Sequence, residues 1–138
     1  MFKFQAELSN FLNEYINAQH VFGQNDCNIL IADYLDRFCE TDYKSKLQGK
    51  YSTISEGVQV CNENVGFSNV KEACEKHLEK SERIELGSVL LKKKTIKRKV
   101  YYVATIVFND KAITEENNKY KMTDVKYVDY DLIFNRRK

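Results

Sequence analysis

The sequence predicts an α+β fold in which N-terminal helices pack on a C-terminal antiparallel sheet. Apolar residues recur at helical spacing through the first part of the chain, to about residue 82. From about residue 83, segments rich in β-branched and aromatic residues alternate with turn residues, which is typical of strands. Helices first and strands afterwards is the order of an α+β domain. The length of 138 residues is that of one domain, so we expect residues 1–138 to share one core.

Two long helices are predicted first. Residues 2–18 form an amphipathic helix whose apolar side is Phe4, Leu8, Phe11, Leu12, Tyr15 and Ile16. The next helix runs roughly from Cys27 to Cys39, with Asn25 or Asp26 as its N-cap. Because it is apolar over much of its circumference, we expect it to be the central helix of the fold.

Two shorter helices follow a polar segment that turns at Gly49. The segment "ISEGVQVCNENVG" is predicted to form a helix ending near Gly66, since glycine readily adopts the left-handed conformation that closes helices. The segment "SNVKEACEKHLEKSE" is predicted to form the last helix, with Ser68 as its cap. The helical part should therefore end at about residue 82.

Four strands are predicted after Gly87, in the segments "SVLLKKK", "KVYYVATIVF", "KAIT" and "DLIFNRR". The pair Asn109-Asp110 is typical of a hairpin turn. The basic segment "KKKTIKRK", residues 92–99, is predicted to span another connection between strands. Hairpin connections of this kind indicate an antiparallel sheet.

The basic residues are unevenly distributed. Lys and Arg number 22 against 20 Asp and Glu, for a net charge of +2. The segment 92–99 departs from this balance through Lys92, Lys93, Lys94, Lys97, Arg98 and Lys99, and the tail "NRRK" adds further positive charge. We expect the segment to be an interaction surface that either docks on an acidic protein neighbour or binds the phosphates of nucleic acid. The balanced net charge argues against direct nucleic-acid binding.

Apolar patterning and cysteine spacing indicate the cellular setting. The sequence lacks an apolar run long enough to span a bilayer and lacks the pattern of a signal peptide, so we expect synthesis in a host cytoplasm. The four cysteines, Cys27, Cys39, Cys61 and Cys74, include no CxxC pair of the kind that zinc sites usually need. We therefore expect four reduced thiols and neither a metal nor another cofactor.

The segment "VFGQNDCNILIADYLDRF" places Cys27 in the first turn of the central helix. Unpaired backbone N–H groups and the helix dipole favour a thiolate there, which is half of a cysteine nucleophile. The other half is a general base, usually a histidine. The chain offers His20, shortly upstream, and His77, on the last predicted helix. A buried thiol that only packs at the start of a core helix is the alternative, and the motif leaves both open.

The Asp-Cys pair belongs to a longer pattern. Its positions are Phe22, Gly23, Asp26, Cys27, Asp33 and "GKYST" at 49–53. With these residues the chain resembles a family of small NlpC-like proteins of tailed phages and prophages, and the resemblance continues through "IELGSVLL" before fading over the last thirty residues. It implies a papain-like fold of the NlpC type. Active NlpC-type enzymes cleave peptide bonds in bacterial cell walls with the cysteine and a histidine on the second strand of the sheet.

The chain departs from the family pattern in two places. The strand that should carry the histidine is "KVYYVATIVF", and the matching position falls near Tyr102, Val103 or Ala104. The family's Gly-Asp before the first strand is Gly87-Ser88 here. A tyrosine, with an ordinary pKa near 10, is a poor general base at neutral pH. We therefore expect an inactive NlpC-like fold that serves as a virion structural protein, in a tail, tail tip or connector, among other virion proteins.

An active cysteine peptidase or amidase that opens the bacterial cell wall during phage entry is the alternative. Cys27 would be its nucleophile beside Asp26, and His20, Tyr102 or a histidine lent by a partner would be its base.

Among the charges of the C-terminal part lie three tyrosines that are typical of protein interfaces or of half-buried sheet faces: Tyr120, Tyr127 and Tyr130.

Overall fold

The structure is a computed structural model that describes residues 2–21, 23–67 and 69–137. In these ranges the helices are α1 (Phe2–Asn13), α2 (Cys27–Cys39), α3 (Lys44–Leu47), α4 (Ile54–Asn64) and α5 (Val70–His77). The strands are β1 (Glu79–Ser81), β2 (Val89–Ile96), β3 (Lys99–Phe108), β4 (Lys111–Glu116), β5 (Lys119–Asp124) and β6 (Leu132–Asn135). They form one antiparallel sheet in the order β1-β6-β2-β3-β4-β5. The α+β prediction, with helices first and the sheet last, is confirmed.

Helix α2 is the central helix, as its composition predicts. Its N-cap is Asp26, whose backbone is extended and whose side chain accepts a hydrogen bond from the N–H of Ile29. Every residue from Ile29 to Leu35 is buried, so neighbours cover α2 on all sides. Aromatic residues join it to α1, with the rings of Phe4 and Phe38 in edge-to-face contact at 5.0 Å.

The sheet is covered on both faces. Because successive side chains of a strand point to opposite faces, Leu91, Ala104 and Ile106 join the main core with the helices, while Leu90 and Val107 point the other way. The second face carries a small cluster formed by Leu90, Val107, Ala112 and Ile133, and Ile84, Val125 and Val128 pack against it. The helices thus approach the sheet from the side to which Ala104 belongs.

The first helix is shorter than predicted, since α1 ends at Asn13 rather than at residue 18. Tyr15 is nevertheless buried, and Ile16 forms an isolated β-bridge with Tyr120. The N–H of Asn17 donates to the carbonyl of Tyr120 over 2.7 Å. Backbone hydrogen bonding to β5 therefore replaces the last helical turn.

The last helix also ends earlier than predicted, at His77, and the sheet begins before residue 83. Residues Glu79–Ser81 form β1 and pair with β6, although nothing in their composition favours a strand. The cap of α5 is Asn69, which accepts from the N–H of Glu72, and the predicted cap Ser68 lies outside the described residues. Pairing with an open sheet edge decides the structure of this polar segment.

The basic segment 92–99 spans the connection between β2 and β3, as predicted, but most of it is strand. Lys92–Ile96 belong to β2 and Lys99 begins β3, so the turn is reduced to Lys97 and Arg98. The short helix α3 and the strand β5 were not among the predicted elements, because both are rich in polar residues. The hairpin turn at Asn109-Asp110 is confirmed by the pairing of Phe108 with Lys111.

Candidate functional site

Asp26 holds the loop before α2 in place. Its side chain is buried, and one carboxylate oxygen accepts from the N–H of Gly23 over 2.7 Å. The other oxygen accepts from the N–H of Ile29 over 3.1 Å and from the hydroxyl of Tyr51 over 2.7 Å. With three donors on one carboxylate, Asp26 joins the loop, the helix and the 49–53 segment.

Gly23 sits where only glycine fits. Its φ of +83° lies in the left-handed region, and a Cβ at this position would come within 1.7 Å of the carbonyl oxygen of Tyr51. The N–H of Gly49 donates to the carbonyl of Gly23 over 2.6 Å. The two separated parts of the sequence pattern, at 23–27 and 49–53, are therefore in direct contact. Phe22, the pattern's aromatic position, lies outside the described residues.

Cys27 is the first residue of α2, and its thiol meets the backbone of β3. Its Sγ accepts from the N–H of Ala104 over 3.4 Å and lies 3.9 Å from the carbonyl oxygen of the same residue. Burial raises the pKa of the Cys27 thiol to about 11, and the nearby charge of Asp26 adds to this. The N–H of Ala104 offsets the rise only in part. At neutral pH the side chain is a thiol rather than a thiolate.

Ala104 is thus the residue of β3 that contacts Cys27, out of the three neighbouring positions expected from the sequence. Tyr102 lies two residues further along the same face, about 7 Å away by the rise of a strand, and pairs with Lys93 of β2. It lines an open groove of about 530 Å³ between the sheet and α5, together with Lys71 and Glu75. Tyr102 therefore lines that groove, and the hydrogen-bond contacts of the Cys27 thiol are with Ala104.

The two histidines lie in different surroundings. The ring of His20 packs against the ring of Tyr120 at 5.8 Å, beside the loop that precedes α2. The Nε2 atom of His77 lies 2.6 Å from the hydroxyl of Tyr43, at the other end of the helical layer. Burial, assisted by the charges of Lys76 and Arg137, lowers the pKa of His77 below its usual value.

Tyr120 belongs to the site although its sequence context suggested a surface role. It is 1% exposed, and its hydroxyl donates to the carbonyl of Asn25 over 2.6 Å. Burial, with added effects of the charges of Cys27 and Asp26, raises its pKa well above the ordinary value. The interface interpretation is therefore wrong for Tyr120, whereas Tyr127 and Tyr130 are exposed.

Asp33, six residues after Cys27, is buried within α2 and fully partnered. It accepts from the hydroxyl of Tyr15 over 2.8 Å and forms ion pairs with Arg37 and Lys44, each at 3.2 Å. Arg37 also forms a two-pronged ion pair with Glu14 at 2.5 and 2.8 Å. An aspartate inside an apolar helix was the sequence signal for this network, which joins the segment after α1 to α2 and α3.

Ser88, which replaces the family's aspartate, is buried in a separate polar contact. Its hydroxyl donates to the side-chain oxygen of Asn135 over 2.5 Å and accepts from the N–H of Glu85 over 2.7 Å. Asn135 in turn donates to the carbonyl of Arg83 over 3.0 Å. These bonds hold the residues that precede β2 against β6, so Ser88 has a structural role.

All four cysteines are free thiols, and burial raises the pKa of each of them. Within residues 2–21, 23–67 and 69–137, no cluster of three His, Cys, Asp or Glu side chains could hold a metal ion. In the same ranges, none of the helices has the length and apolar character needed to cross a membrane.

A protein-family model matches the chain over residues 2–129, and its description is a domain of unknown function, DUF6950. The chain belongs to the DUF6950 family. The match covers all of the helices and the first five strands, and therefore the whole surroundings of Cys27. No curated protein and no solved structure matches the chain.

Proposed function

We propose that this DUF6950 protein is a structural component of a phage virion, in the tail, tail tip or connector, built on a degenerate NlpC-like, papain-like fold without peptidase activity. One observation carries the inactive state: Cys27 at the start of the central helix faces the backbone of Ala104 on β3. In the NlpC pattern that strand supplies the histidine. An alanine methyl group cannot accept a proton, so the thiol lacks its base at this position.

The electrostatics of the loop support the same proposal. An active cysteine nucleophile needs a lowered pKa, but burial raises the pKa of Cys27 to about 11. Asp26 lies next to it with both oxygens engaged in hydrogen bonds, so its role is to cap the helix and hold the loop. The motif that would activate a peptidase thus stabilises the fold here.

The virion role rests on the sequence resemblance to phage and prophage proteins, with synthesis in the host cytoplasm followed by incorporation into the particle. Other virion proteins would then be the partners, and the exposed Tyr127, with 75% of its surface accessible, is suited to such contacts. Mass spectrometry of gradient-purified particles of the encoding phage should detect the chain at stoichiometric levels. Detection in the lysate alone would contradict the virion role.

Alkylation of each cysteine as a function of pH, resolved by mass spectrometry, tests the inactive state. A thiol with a pKa of about 11 is thiolate in about one molecule in 10⁴ at pH 7, so Cys27 should react slowly there and about tenfold faster per pH unit up to pH 11. Cys39, which is also partly exposed with a raised pKa, is the matched control.

Cell-wall digestion distinguishes the alternative enzyme from the structural protein. Purified peptidoglycan should remain intact with the wild type and with Cys27→Ala alike. Cleavage by the wild type that Cys27→Ala abolishes, together with fast alkylation of Cys27 at pH 7, would overturn the proposal in favour of a cysteine peptidase or amidase.

A further inference from the structure

The β2–β3 hairpin projects from the sheet as a two-stranded ribbon. Strand β6 pairs with β2 only at Val89–Leu91, and β4 pairs with β3 only at Val107 and Phe108. In the described part of the sheet, residues 92–103 therefore pair with no other strand, and at the base of the hairpin the N–H of Lys93 donates to the Asp131 side chain over 2.9 Å. We call residues 92–103 the ribbon; each of its strands is about 17 Å long by the rise of a strand.

Basic side chains occupy both faces and the tip of the ribbon. Lys93 lies opposite Tyr102 on one face, and Lys94 lies opposite Tyr101 on the other. Lys97 and Arg98 form the turn, and all four cations are exposed. Lys92, at the base, is paired with Asp129 and Asp131 at 3.3 and 3.4 Å. Among the described residues, Lys93, Lys94, Lys97 and Arg98 form no ion pair.

The turn keeps its two cations against the preference of the backbone. Lys97 and Arg98 have φ of 49° and 70°, in the left-handed region that disfavours such side chains. The β4–β5 turn has Asn117 and Asn118 at the same two positions, with φ of 53° and 64°. Asparagine or glycine is the usual choice there. A lysine and an arginine at two positions that disfavour them point to a function of the charges outside the fold.

The other basic segment, the C-terminal tail, is engaged within the protein. The guanidinium of Arg136 stacks on the ring of Phe4 at 3.7 Å. Arg137 donates to the carbonyls of Leu78 and Glu75 over 3.2 and 3.1 Å. Arg136 and Arg137 are therefore held against the helices, whereas Lys94, Lys97 and Arg98 of the ribbon have no such contact among the described residues.

We propose that the ribbon inserts into a groove of duplex nucleic acid and binds the phosphates on both sides of it. The major groove of DNA admits a two-stranded β-ribbon, and its two walls are lined with phosphates. The exposed cations at the tip and on the two faces match that geometry, and the Lys93 face also borders the groove lined by Lys71 and Glu75 of α5. The balanced net charge of +2 argues against nucleic-acid binding by the chain as a whole, but four exposed cations that form no ion pair with a described residue are close together in this one hairpin.

Fluorescence anisotropy with a labelled DNA duplex of random sequence and about 20 bp, titrated with the intact protein, tests the proposal. Each phosphate contact contributes about −0.9 to the slope of log affinity against log salt, so four free cations predict a slope of about −3 to −4 between about 50 and 200 mM salt. The variant Lys97→Gln/Arg98→Gln should reduce the magnitude of the slope by about 1.8.

A charge-matched variant is the control. Lys111→Gln/Lys126→Gln removes the same charge from exposed residues near the opposite end of β3, and it should leave the slope unchanged. Lys97→Asn/Arg98→Gly removes the cations while installing the preferred turn residues, so it should lose affinity equally while raising the melting temperature. This separates loss of contact from loss of folding.

Three outcomes would overturn the proposal. The first is no binding at about 50 mM salt, and the second is an equal loss of slope in the control variant. The third is displacement of the duplex by polyglutamate at the same concentration of charge, which would assign the ribbon to an acidic protein surface. None of these outcomes depends on whether the protein is a peptidase.

Discussion

The loop before α2 and the turn at the tip of the ribbon both contain residues with a positive φ, but they fill those positions differently. The loop uses Gly23 at +83°, and its polar groups bond to Asp26 and Gly49 within the protein. The tip uses Lys97 and Arg98 at 49° and 70°, and their charges have no described acidic partner within 4 Å. The loop has the residue type that a positive φ favours, whereas the tip has residue types that it disfavours.

The sequence of the loop is thus constrained by folding, and that of the tip by a role outside the fold. Folding accounts for the Gly-x-x-Asp-Cys pattern, because Gly23 and Asp26 both contact the segment that carries Tyr51. Folding does not account for a lysine and an arginine in a left-handed turn, so their role is sought in binding. A pattern typical of a nucleophile can thus be retained for stability, while the contact surface lies elsewhere.

The largest expected effect is that of Gly23→Ala. The new methyl group would overlap the carbonyl oxygen of Tyr51, so we expect a loss of at least about 4 kcal/mol in the free energy of unfolding. Gly66→Ala is the control, because Gly66 has φ of +79° but open space around it, and it should cost about 1 kcal/mol. Urea denaturation measures both. Equal losses would show that the loop can shift away from the 49–53 segment and accommodate the new methyl group.

A smaller loss is expected for Asp26→Ala, of about 3 kcal/mol. The substitution leaves the N–H groups of Gly23 and Ile29 and the hydroxyl of Tyr51 without their acceptor in a buried place. Asn69→Ala removes a single capping bond at the more exposed start of α5 and should cost about 1 kcal/mol. If chemical denaturation gave the same value for the two caps, Asp26 would be an ordinary N-cap rather than a joint between segments.

The smallest expected effect has the opposite sign. Lys97→Asn/Arg98→Gly should stabilise the protein by about 1 kcal/mol, since the new residues suit the left-handed turn. Asn117→Lys/Asn118→Arg places the ribbon's residues in the β4–β5 turn and should destabilise the protein by a similar amount. Thermal denaturation of the pair is the measurement. A ribbon turn that gains no stability would remove the argument from strain.

Local chemistry made several features predictable from the sequence. Asn25 and Asp26 before an apolar run identified the start of α2, because a short acceptor side chain caps a helix wherever the next residues are helical, and the structure assigns the cap to Asp26. Asn109 identified the β3–β4 turn, since asparagine tolerates a positive φ, here 58°. The β-branched and aromatic content of β3 identified a strand for a similarly local reason.

Contacts between distant segments decided the rest. The sequence determined that helices precede an antiparallel sheet and that Cys27 opens the central helix. Only the tertiary structure decided that Ala104, rather than Tyr102, faces the thiol, because strand register depends on pairing and not on composition. It also decided that Tyr120 is buried beneath the loop, since burial of an amphipathic ring depends on which segments close over it.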